Sequence, residues 1–471
     1  MSNARRLFFL LCAVLLAARL CHLEILWAEE TLPLAAAQQM RAGKTLYRDI
    51  WFDKPPLTPV LYRLCGGQPG WPLRLAGALY AVLACWMAFR FARDLWSERE
   101  GLWAAGLMGF FLVFDFPATV IPLAADLLML APHLAAVWLG YRRRPFWSGV
   151  MTGVAFLISP KAIFVAAACA LWNPSGVVLL AAGFATVTGA AAAWLGAVGA
   201  LAPCWEDVWR WGRLYAAAPF AESPVVNGLL RTLHWLGFHA ALGLAGGAGL
   251  VACRAIRSDR SPGLRHWLGW ILISLAAVAA GLRFFPRYYF QLLPVCVLLA
   301  ARGFTALGRR RALVVALLLL IPAARFGPSY FTAARNHNWR DTALDRDSRA
   351  AAALTRQLAR PGDTLFVWGY RPEIYVYTQL PAATMFLDSQ PLTGVPADRH
   401  LTQSTPVETE GPRVRRAELA RSQPAFILDG LSAFNPRLAI TSYAELRAWF
   451  ADYREVARTG STVIYRRWEE E

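Results

Sequence analysis

The chain has 471 residues, of which 57% are hydrophobic and only 17% are charged. A water-soluble protein of this size carries about a quarter charged residues, so the composition excludes an ordinary soluble enzyme. The formal net charge of +17 would suit nucleic-acid binding, but the basic residues cluster in short loops between apolar runs, at 142–144, 254–265 and 309–311. Such clusters are typical of the cytoplasmic loops of membrane proteins and argue against a nucleic-acid partner.

The long apolar runs predict a polytopic α-helical membrane protein with about eleven transmembrane helices. Nine single spans are expected near 7–27, 72–92, 102–116, 120–140, 177–201, 234–253, 267–282, 288–301 and 312–330. The run at 146–172 is read as two short spans, because Pro160 breaks it and because two spans keep the basic clusters cytoplasmic. The N-terminus is then cytoplasmic and the C-terminus lies outside.

The composition changes at about residue 332, where polar and charged residues become frequent. Segments 363–368, 425–428 and 462–466 predict strands, whereas 345–360, 372–378 and 443–453 predict helices. We therefore expect a transmembrane domain at 1–331 and a small extracytoplasmic α/β domain at 332–471. No Gly-rich phosphate loop or metal-ligand cluster is apparent in the second domain.

The first outer loop, residues 28–56, is expected to hold the chemistry, because charges kept at a membrane surface are costly unless they are used. Glu29 and Glu30 open it, directly after the first span. They are either a solvated acidic pair at a helix end or the source of a general base. An amphipathic helix follows and ends near Gly43. The remaining candidates in the loop are Tyr47, Asp49, Asp53 and Lys54.

The loop resembles the first outer loop of C-superfamily glycosyltransferases, and most of all the bacterial relatives of protein O-mannosyltransferases and the aminoarabinose transferase. The resemblance is carried by Glu29-Glu30, Ala37, Gly43, Tyr47-Arg48-Asp49 and Asp53-Lys54-Pro55-Pro56. It places the essential aspartate of the family at Glu29, so this chain has glutamate where the family usually has aspartate. The choice between Glu29 and Glu30 as the catalytic acid stays open at this point.

Four further residues match positions of the same family. Asp126 matches a second acid, with a role in orienting the acceptor or holding a divalent cation, and is otherwise a lone interfacial acid. Lys161 matches a lysine of the donor phosphate site, or is an interfacial lysine that snorkels to water. Arg287 and Tyr288 stand where the family often has His-Tyr. A guanidinium can hold a phosphate at two points, whereas the alternative is an aromatic and arginine membrane belt.

The resemblance implies an inverting glycosyltransferase of the bacterial inner membrane, with a polyprenyl-phosphate-linked sugar as donor and a hydroxyl on a lipid, glycan or protein as acceptor. Glu29, Glu30 and Asp126 would be catalytic, and Lys54, Arg287 and Lys161 would bind the donor phosphate. A transporter or flippase of a lipid-linked precursor is the alternative, although no internal repeat of the transporter kind is present. A non-catalytic scaffold is a third. The sugar, the acceptor, the metal requirement, the oligomeric state and the role of the C-terminal domain stay open.

Overall fold

A computed structural model of the chain describes residues 3–217, 220–255, 262–336 and 340–468. The chain is mostly helical up to residue 336. The helices of its first part are α1 (Asn3–Leu20), α2 (Ala28–Arg41), α3 (Leu57–Leu64), α4 (Trp71–Leu95), α5 (Glu98–Phe111), α6 (Pro117–Val120), α7 (Ala125–Leu128), α8 (Leu130–Tyr141) and α9 (Pro145–Phe156).

The second part of the helical region begins after Pro160. Its helices are α10 (Ala162–Trp172), α11 (Val177–Ala197), α12 (Leu201–Cys204), α13 (Trp211–Ala217), α14 (Pro224–Phe238), α15 (Ala240–Ala255), α16 (Leu264–Ala279), α17 (Leu293–Ala306), α18 (Arg309–Leu317) and α19 (Leu320–Asn336). A 3-10 turn, Pro286–Gln291, joins α16 to α17. The run at 146–172 forms two helices, α9 and α10, with the break where Pro160 was expected to place it.

Within the described residues, three helical stretches are long and apolar enough to cross a membrane. These are Trp71–Leu95, Pro174–Ala197 and Arg309–Thr332, and a fourth is possible if α14 and α15 form one span bent by 84°. Shorter apolar helices occupy 125–141, 162–172, 264–279 and 293–306. The count of about eleven spans therefore stays a prediction.

Small residues bring the helices of this region close together. Gly249 of α15 and Gly303 of α17 face each other, and a Cβ added to Gly303 would lie 1.7 Å from the carbonyl oxygen of Ala245. No side chain fits at such a distance. Helix pairs in lipid gain their contact energy from this kind of close backbone approach.

The chain after residue 340 forms a small mixed domain. Its elements are α20 (Arg340–Leu358), β1 (Leu365–Trp368), α21 (Glu373–Thr378), α22 (Gln390–Thr393), α23 (Glu410–Leu419), β2 (Phe426–Asp429), α24 (Ala444–Phe450), β3 (Tyr453–Arg458) and β4 (Val463–Arg467). The strand order is β1-β2-β4-β3. β1 pairs parallel to β2, whereas β4 runs antiparallel to both β2 and β3.

Two local expectations differ from the structure. The helix expected at 443–453 ends at Phe450, and the chain then forms the edge strand β3. This strand was missed because most of its side chains are exposed, and charged edge strands lack the apolar alternation that marks a buried strand. The amphipathic helix of the first loop is α2, but it does not lie half-exposed at an interface. Most of its residues are buried, because α3 packs on it and α21 of the second domain covers it.

Candidate functional site

Glu29 and Glu30, in the first turn of α2, point in different directions, because adjacent positions on a helix do not share a face. Glu29 is 28% exposed in its side chain and faces a cavity of about 220 Å³. The cavity is lined by residues from three separate stretches of chain: Trp27–Glu29, Phe116 with Ala118–Thr119, and Phe285–Arg287. Glu29 and Arg287 are its two charged groups. This cavity is the candidate active site.

Glu30 points into the protein instead. Its side chain is fully buried and forms a two-pronged ion pair with Arg74, at 2.7 and 2.8 Å. Its oxygens also accept hydrogen bonds from the backbone N–H groups of Trp27 and Leu123, at 3.3 and 3.1 Å. Both oxygens are thus fully engaged in holding the start of α2 against α4 and the segment before α7. Glu30 is not among the residues that line the cavity.

Arg287 lies at the centre of the charged groups. Its guanidinium contacts Glu29 Oε1 at 2.6 Å and Asp126 Oδ2 at 3.4 Å, which brings together three residues that are far apart in the sequence. The guanidinium carbon also lies 4.9 and 5.5 Å from the ring centroids of Phe285 and Tyr288. The 3-10 turn Pro286–Gln291 holds Arg287 here, because its following residues Tyr288 to Gln291 are buried.

Lys161 reaches the same region from the break between α9 and α10. Its ammonium lies 3.0 Å from the centroid of the Tyr288 ring, a cation–π contact. The buried Nζ finds no hydrogen-bond partner among the described residues. Asp126 and Arg287 are near enough to interact with it electrostatically. The buried ammonium of Lys161 can therefore donate hydrogen bonds to a ligand.

Lys54 is paired with its neighbour Asp53 at 2.9 and 3.1 Å. Burial opposes the charge on Lys54, but the carboxylates of Asp53 and Glu29 outweigh it and raise the pKa of the ammonium. The group is thus cationic at neutral pH and lies within electrostatic reach of Glu29.

The other two loop candidates support the backbone rather than the cavity. The Tyr47 hydroxyl donates to the carbonyl oxygen of Lys54 at 2.7 Å, and the ring is fully buried. Asp49 accepts from the N–H of Thr45 at 2.8 Å and pairs with Arg48 at the surface. Tyr47 has φ 66°, so the chain turns sharply at the Tyr-Arg-Asp segment. These contacts shape the loop that carries Asp53 and Lys54.

The structure thus brings Glu29, Asp126, Arg287, Lys161 and Tyr288 together, with Lys54 nearby. Across the described ranges, no three His, Cys, Asp or Glu side chains are grouped closely enough to hold a metal ion.

The chain was compared with known families and structures. Residues 53–209 match the model of the family described as dolichyl-phosphate-mannose-protein mannosyltransferase. No curated protein shows significant sequence similarity to the chain. The structure of ArnT from Cupriavidus metallidurans bound to undecaprenyl phosphate superposes with a TM-score of 0.61 at 16% identity, over 99% of this chain and 98% of that one. The chain therefore shares the fold of ArnT, and its residues 53–209 are similar to the mannosyltransferase family.

Two more distant structures share this fold. An oligosaccharyltransferase of Archaeoglobus fulgidus in its apo form gives a TM-score of 0.53 at 14% identity, over 95% of this chain and 72% of that one. The arabinofuranosyltransferase AftD from mycobacteria gives 0.51 at 14% identity, over all of this chain but only 40% of its own. The resemblance predicted from the first outer loop is confirmed, and the chain is a multi-pass membrane protein.

Two residues of the second domain that the sequence did not single out lie close to the first loop. Tyr370 and Asp388 of the second domain lie within electrostatic reach of the first loop, Tyr370 of Glu29 and Asp53, and Asp388 of Asp53 and Lys54. Burial raises the pKa of Asp388 to about 7. Neither residue belongs to a motif, and only the folded position of the second domain brings them near.

Backbone and side-chain contacts together fix the position of the second domain. The N–H of Trp51 donates to the carbonyl oxygen of Met385 at 2.8 Å, and the N–H of Ala382 donates to Gln39 Oε1 at 3.0 Å. Asp398 forms an ion pair with the buried Arg283, just before the 3-10 turn that carries Arg287. The second domain therefore covers the first loop and the turn together.

The ion pair of Arg74 was also not predicted, although the position of Arg74 in the sequence indicates one. It is a single charge at the start of the apolar run expected to span the membrane at 72–92. A charge in such a place is costly unless it is paired, so a buried carboxylate partner is the physical expectation. Glu30 is that partner.

Asp207 gives a testable pH dependence. This carboxyl is buried below the outer loop, where the N–H of Phe52 donates to it at 3.4 Å, and burial raises its pKa to about 8. If segment 205–215 detached from the first outer loop, the Asp207 carboxyl would titrate near its ordinary pKa of about 4. The free energy that holds the segment against the loop is therefore largest below pH 4 and decreases as the pH rises towards 8. Hydrogen exchange at 205–215, corrected for intrinsic rates, should rise about tenfold or more between pH 6 and 9. Asp207→Asn should remove this rise. An equal rise in the variant and the wild type would show that Asp207 does not cause the pH dependence.

Proposed function

We propose that the chain is an inverting glycosyltransferase that moves a sugar from a polyprenyl-phosphate donor to a hydroxyl acceptor at the outer face of the membrane. The observation that carries the proposal is the contact of Glu29 with Arg287 at the wall of one cavity. A carboxylate there can take a proton, and a guanidinium beside it can hold a phosphate. The ArnT structure of the same fold is bound to undecaprenyl phosphate, which supports a donor of this class.

The proposed reaction is a single displacement. The acceptor hydroxyl forms a bond to the anomeric carbon, the bond from that carbon to the phosphate oxygen breaks, and Glu29 takes the hydroxyl proton. Polyprenyl phosphate leaves with the bonding electron pair, and Arg287 and Lys161 stabilise the growing charge on its oxygens. Cations placed in advance where charge develops often supply the largest share of catalysis. One displacement inverts the configuration of the sugar.

The remaining groups have supporting roles in this proposal. Asp126 contacts Nε of Arg287, whereas Glu29 contacts Nη1, and Asp126 orients the acceptor. Lys54 contributes a further cation for the donor phosphate, with Asp53 fixing its position. Tyr288 keeps the ammonium of Lys161 in place through its ring. Glu30 is assigned to the buried ion pair and not to catalysis.

The proposal also includes the arrangement of the chain. Residues 1–331 form the transmembrane domain with about eleven spans, and 332–471 form the extracytoplasmic domain, which closes over the loop at 28–56. The N-terminus is cytoplasmic and the membrane is the bacterial inner membrane. A lipid bilayer and a lipid-linked sugar are then the obligatory partners.

Native mass spectrometry with Arg287→Ala tests the function. Wild-type protein in mild detergent should bind a polyprenyl-phosphate sugar and slowly release polyprenyl phosphate, whereas Arg287→Ala should lose about a hundredfold in release. Arg210→Ala is the matched control, because this arginine forms only an exposed ion pair with Glu206. Binding without cleavage of any sugar, with or without acceptors, would favour a transporter. No binding of any polyprenyl lipid would overturn the proposal.

A further inference from the structure

The segment that leads into the 3-10 turn of Arg287 has an unusual backbone conformation. Leu282 and Phe284 have φ 53° and 50°, in the left-handed region that residues other than glycine rarely adopt. They flank Arg283, between the end of α16 and the turn. Residues keep such a conformation only where their surroundings hold them in it. The placement of Arg287 therefore depends on the contacts that hold Arg283.

The side chain of Arg283 is fully buried between two distant parts of the chain. Its Nη2 donates to the carbonyl oxygen of Tyr215 at 2.8 Å, and the guanidinium carbon lies 3.7 Å from the centroid of the Tyr215 ring. Its Nη1 forms an ion pair with Asp398 of the second domain. A buried guanidinium is costly without a counter-charge, and Asp398 supplies one.

Asp398 has a fixed place within the second domain. It belongs to the short 3-10 turn Ala397–Arg399, whose first N–H donates to Gln390 Oε1 at 2.9 Å. The backbone N–H and the side-chain Nε2 of Gln390 both donate to Asp388, at 2.8 and 3.2 Å. Asp388 is the buried acid that lies near the first loop. The docking of the second domain on the first loop and its ion pair with Arg283 are therefore mechanically connected.

The contacts of Arg283 extend to Arg287 through Tyr215. Tyr215 is near enough to interact electrostatically with both Tyr288 and Arg287. The Tyr288 ring in turn lies 5.5 Å from the guanidinium carbon of Arg287. Asp398 is itself within electrostatic reach of Arg287. A continuous set of contacts thus joins the second domain to the arginine that is proposed to hold the donor phosphate.

We propose that Asp398 is a positioning residue for donor binding, and that the second domain completes the donor site by holding Arg283 and, through it, Arg287. This inference rests on the proposed function. Without the ion pair, the guanidinium of Arg283 would leave its buried place for water, and the left-handed backbone beside it would relax. Arg287, four residues further on, would then lose its position at the cavity wall. Asp398 itself touches none of the reacting atoms.

The direction of the change in donor affinity separates positioning from a direct effect of charge. Asp398 is an acid within reach of Arg287, so removing its charge should by electrostatics alone strengthen the binding of an anionic phosphate. Positioning predicts the opposite result. Native mass spectrometry of the full-length protein should show that Asp398→Asn binds undecaprenyl phosphate about tenfold more weakly than the wild type. Unchanged or stronger binding would overturn the inference.

Asp363→Asn is the matched control for this measurement. Asp363 is also an acid of the second domain that faces an arginine, Arg466, at 3.6 Å, but it lies at the start of the strand β1 and away from the turn of Arg287. The control should bind undecaprenyl phosphate as the wild type does. An equal loss in Asp363→Asn and Asp398→Asn would show a general effect of the domain and would contradict the role assigned to Asp398.

A double-variant cycle tests whether Asp398 acts through Arg287. In the background of Arg287→Ala, Asp398→Asn should change the affinity for undecaprenyl phosphate by no more than about twofold, because residues that act through one contact are not additive. A full tenfold loss in that background would show that Asp398 acts by another route, and it would overturn the inference.

Hydrogen exchange provides a measurement that does not depend on the donor. In Asp398→Asn the exchange at 281–291 should rise, whereas exchange in β2 should stay at the wild-type level. A rise in both places would show a loss of overall stability, and no rise in either would show that Asp398 does not hold the turn. Each of these two results contradicts the inference. Failure of the wild type to bind undecaprenyl phosphate contradicts the proposed function instead.

Discussion

Glu29→Gln is expected to lower the turnover of a polyprenyl-phosphate sugar by about 10²–10⁴-fold, the range supplied by a positioned general base. Glutamine has the same size and still accepts a hydrogen bond from Arg287, but it cannot take the acceptor proton. The variant should therefore express normally and bind the donor lipid. Release of polyprenyl phosphate with an acceptor present measures the loss, and native mass spectrometry measures binding.

Glu29→Asp is the matched control for this experiment. It keeps the carboxylate and introduces the aspartate that the resemblance of the first loop predicts at this position, although the group is one methylene shorter. We expect it to retain far more activity than Glu29→Gln. Normal transfer by Glu29→Gln would show that Glu29 is not the base.

The ion pair between Glu29 and Arg287 implies a further step before Glu29 can take a proton. At 2.6 Å the guanidinium occupies the carboxylate that the acceptor hydroxyl needs. A donor phosphate competes for the same guanidinium, because charge-assisted pairing to phosphate can be two-pronged. Donor binding would thus draw Arg287 away and free Glu29, so that the base becomes available only when the donor is in place. Asp126, which contacts Nε of Arg287, would keep the guanidinium in place during this exchange.

The sequence was informative where function imposes a local pattern. The first loop kept its order of acids, glycine and Lys-Pro-Pro, and this was enough to predict the relationship that the comparisons confirm. The apolar runs indicated a membrane protein, and Pro160 marked the break between α9 and α10. Strands β1, β2 and β4 were expected within two residues of their observed ends, because their buried aliphatic and aromatic residues leave a clear pattern.

What the sequence did not provide depends on contacts across long distances in the chain. Tyr370 and Asp388 approach the first loop only because the second domain is held there by contacts between residues far apart in the chain, such as Trp51 with Met385 and Gln39 with Ala382. Glu30 is buried whereas Glu29 faces the cavity, and this difference depends on Arg74, which is 44 positions away from Glu30. Adjacent identical side chains look alike in a sequence, and only the surrounding charges distinguish them.

That difference leads to an opposite expectation for the second acid. Glu30→Gln should destabilise the protein by about 3–5 kcal/mol, because it leaves the buried Arg74 guanidinium without a counter-charge. Arg74 would keep its bonds to the carbonyl oxygens of His22 and Ile25, at 3.2 and 2.6 Å, but these carry no full charge. The free energy of unfolding in mixed micelles measures the effect. The double variant Glu30→Gln/Arg74→Met should recover much of the loss, because it removes both charges and keeps a side chain of similar length.

The activity of the folded fraction separates this structural role from a catalytic one. Below the unfolding transition, Glu30→Gln should turn over the donor within a few-fold of the wild type, since the cavity that contains Glu29 and Arg287 does not include Glu30. A variant as stable as the wild type but without turnover would reverse the assignment and make Glu30 the base. That result would be the opposite of what the contacts predict. Glu29, which is accessible from the cavity, would be dispensable, and Glu30 would have to separate from Arg74 before it could take a proton.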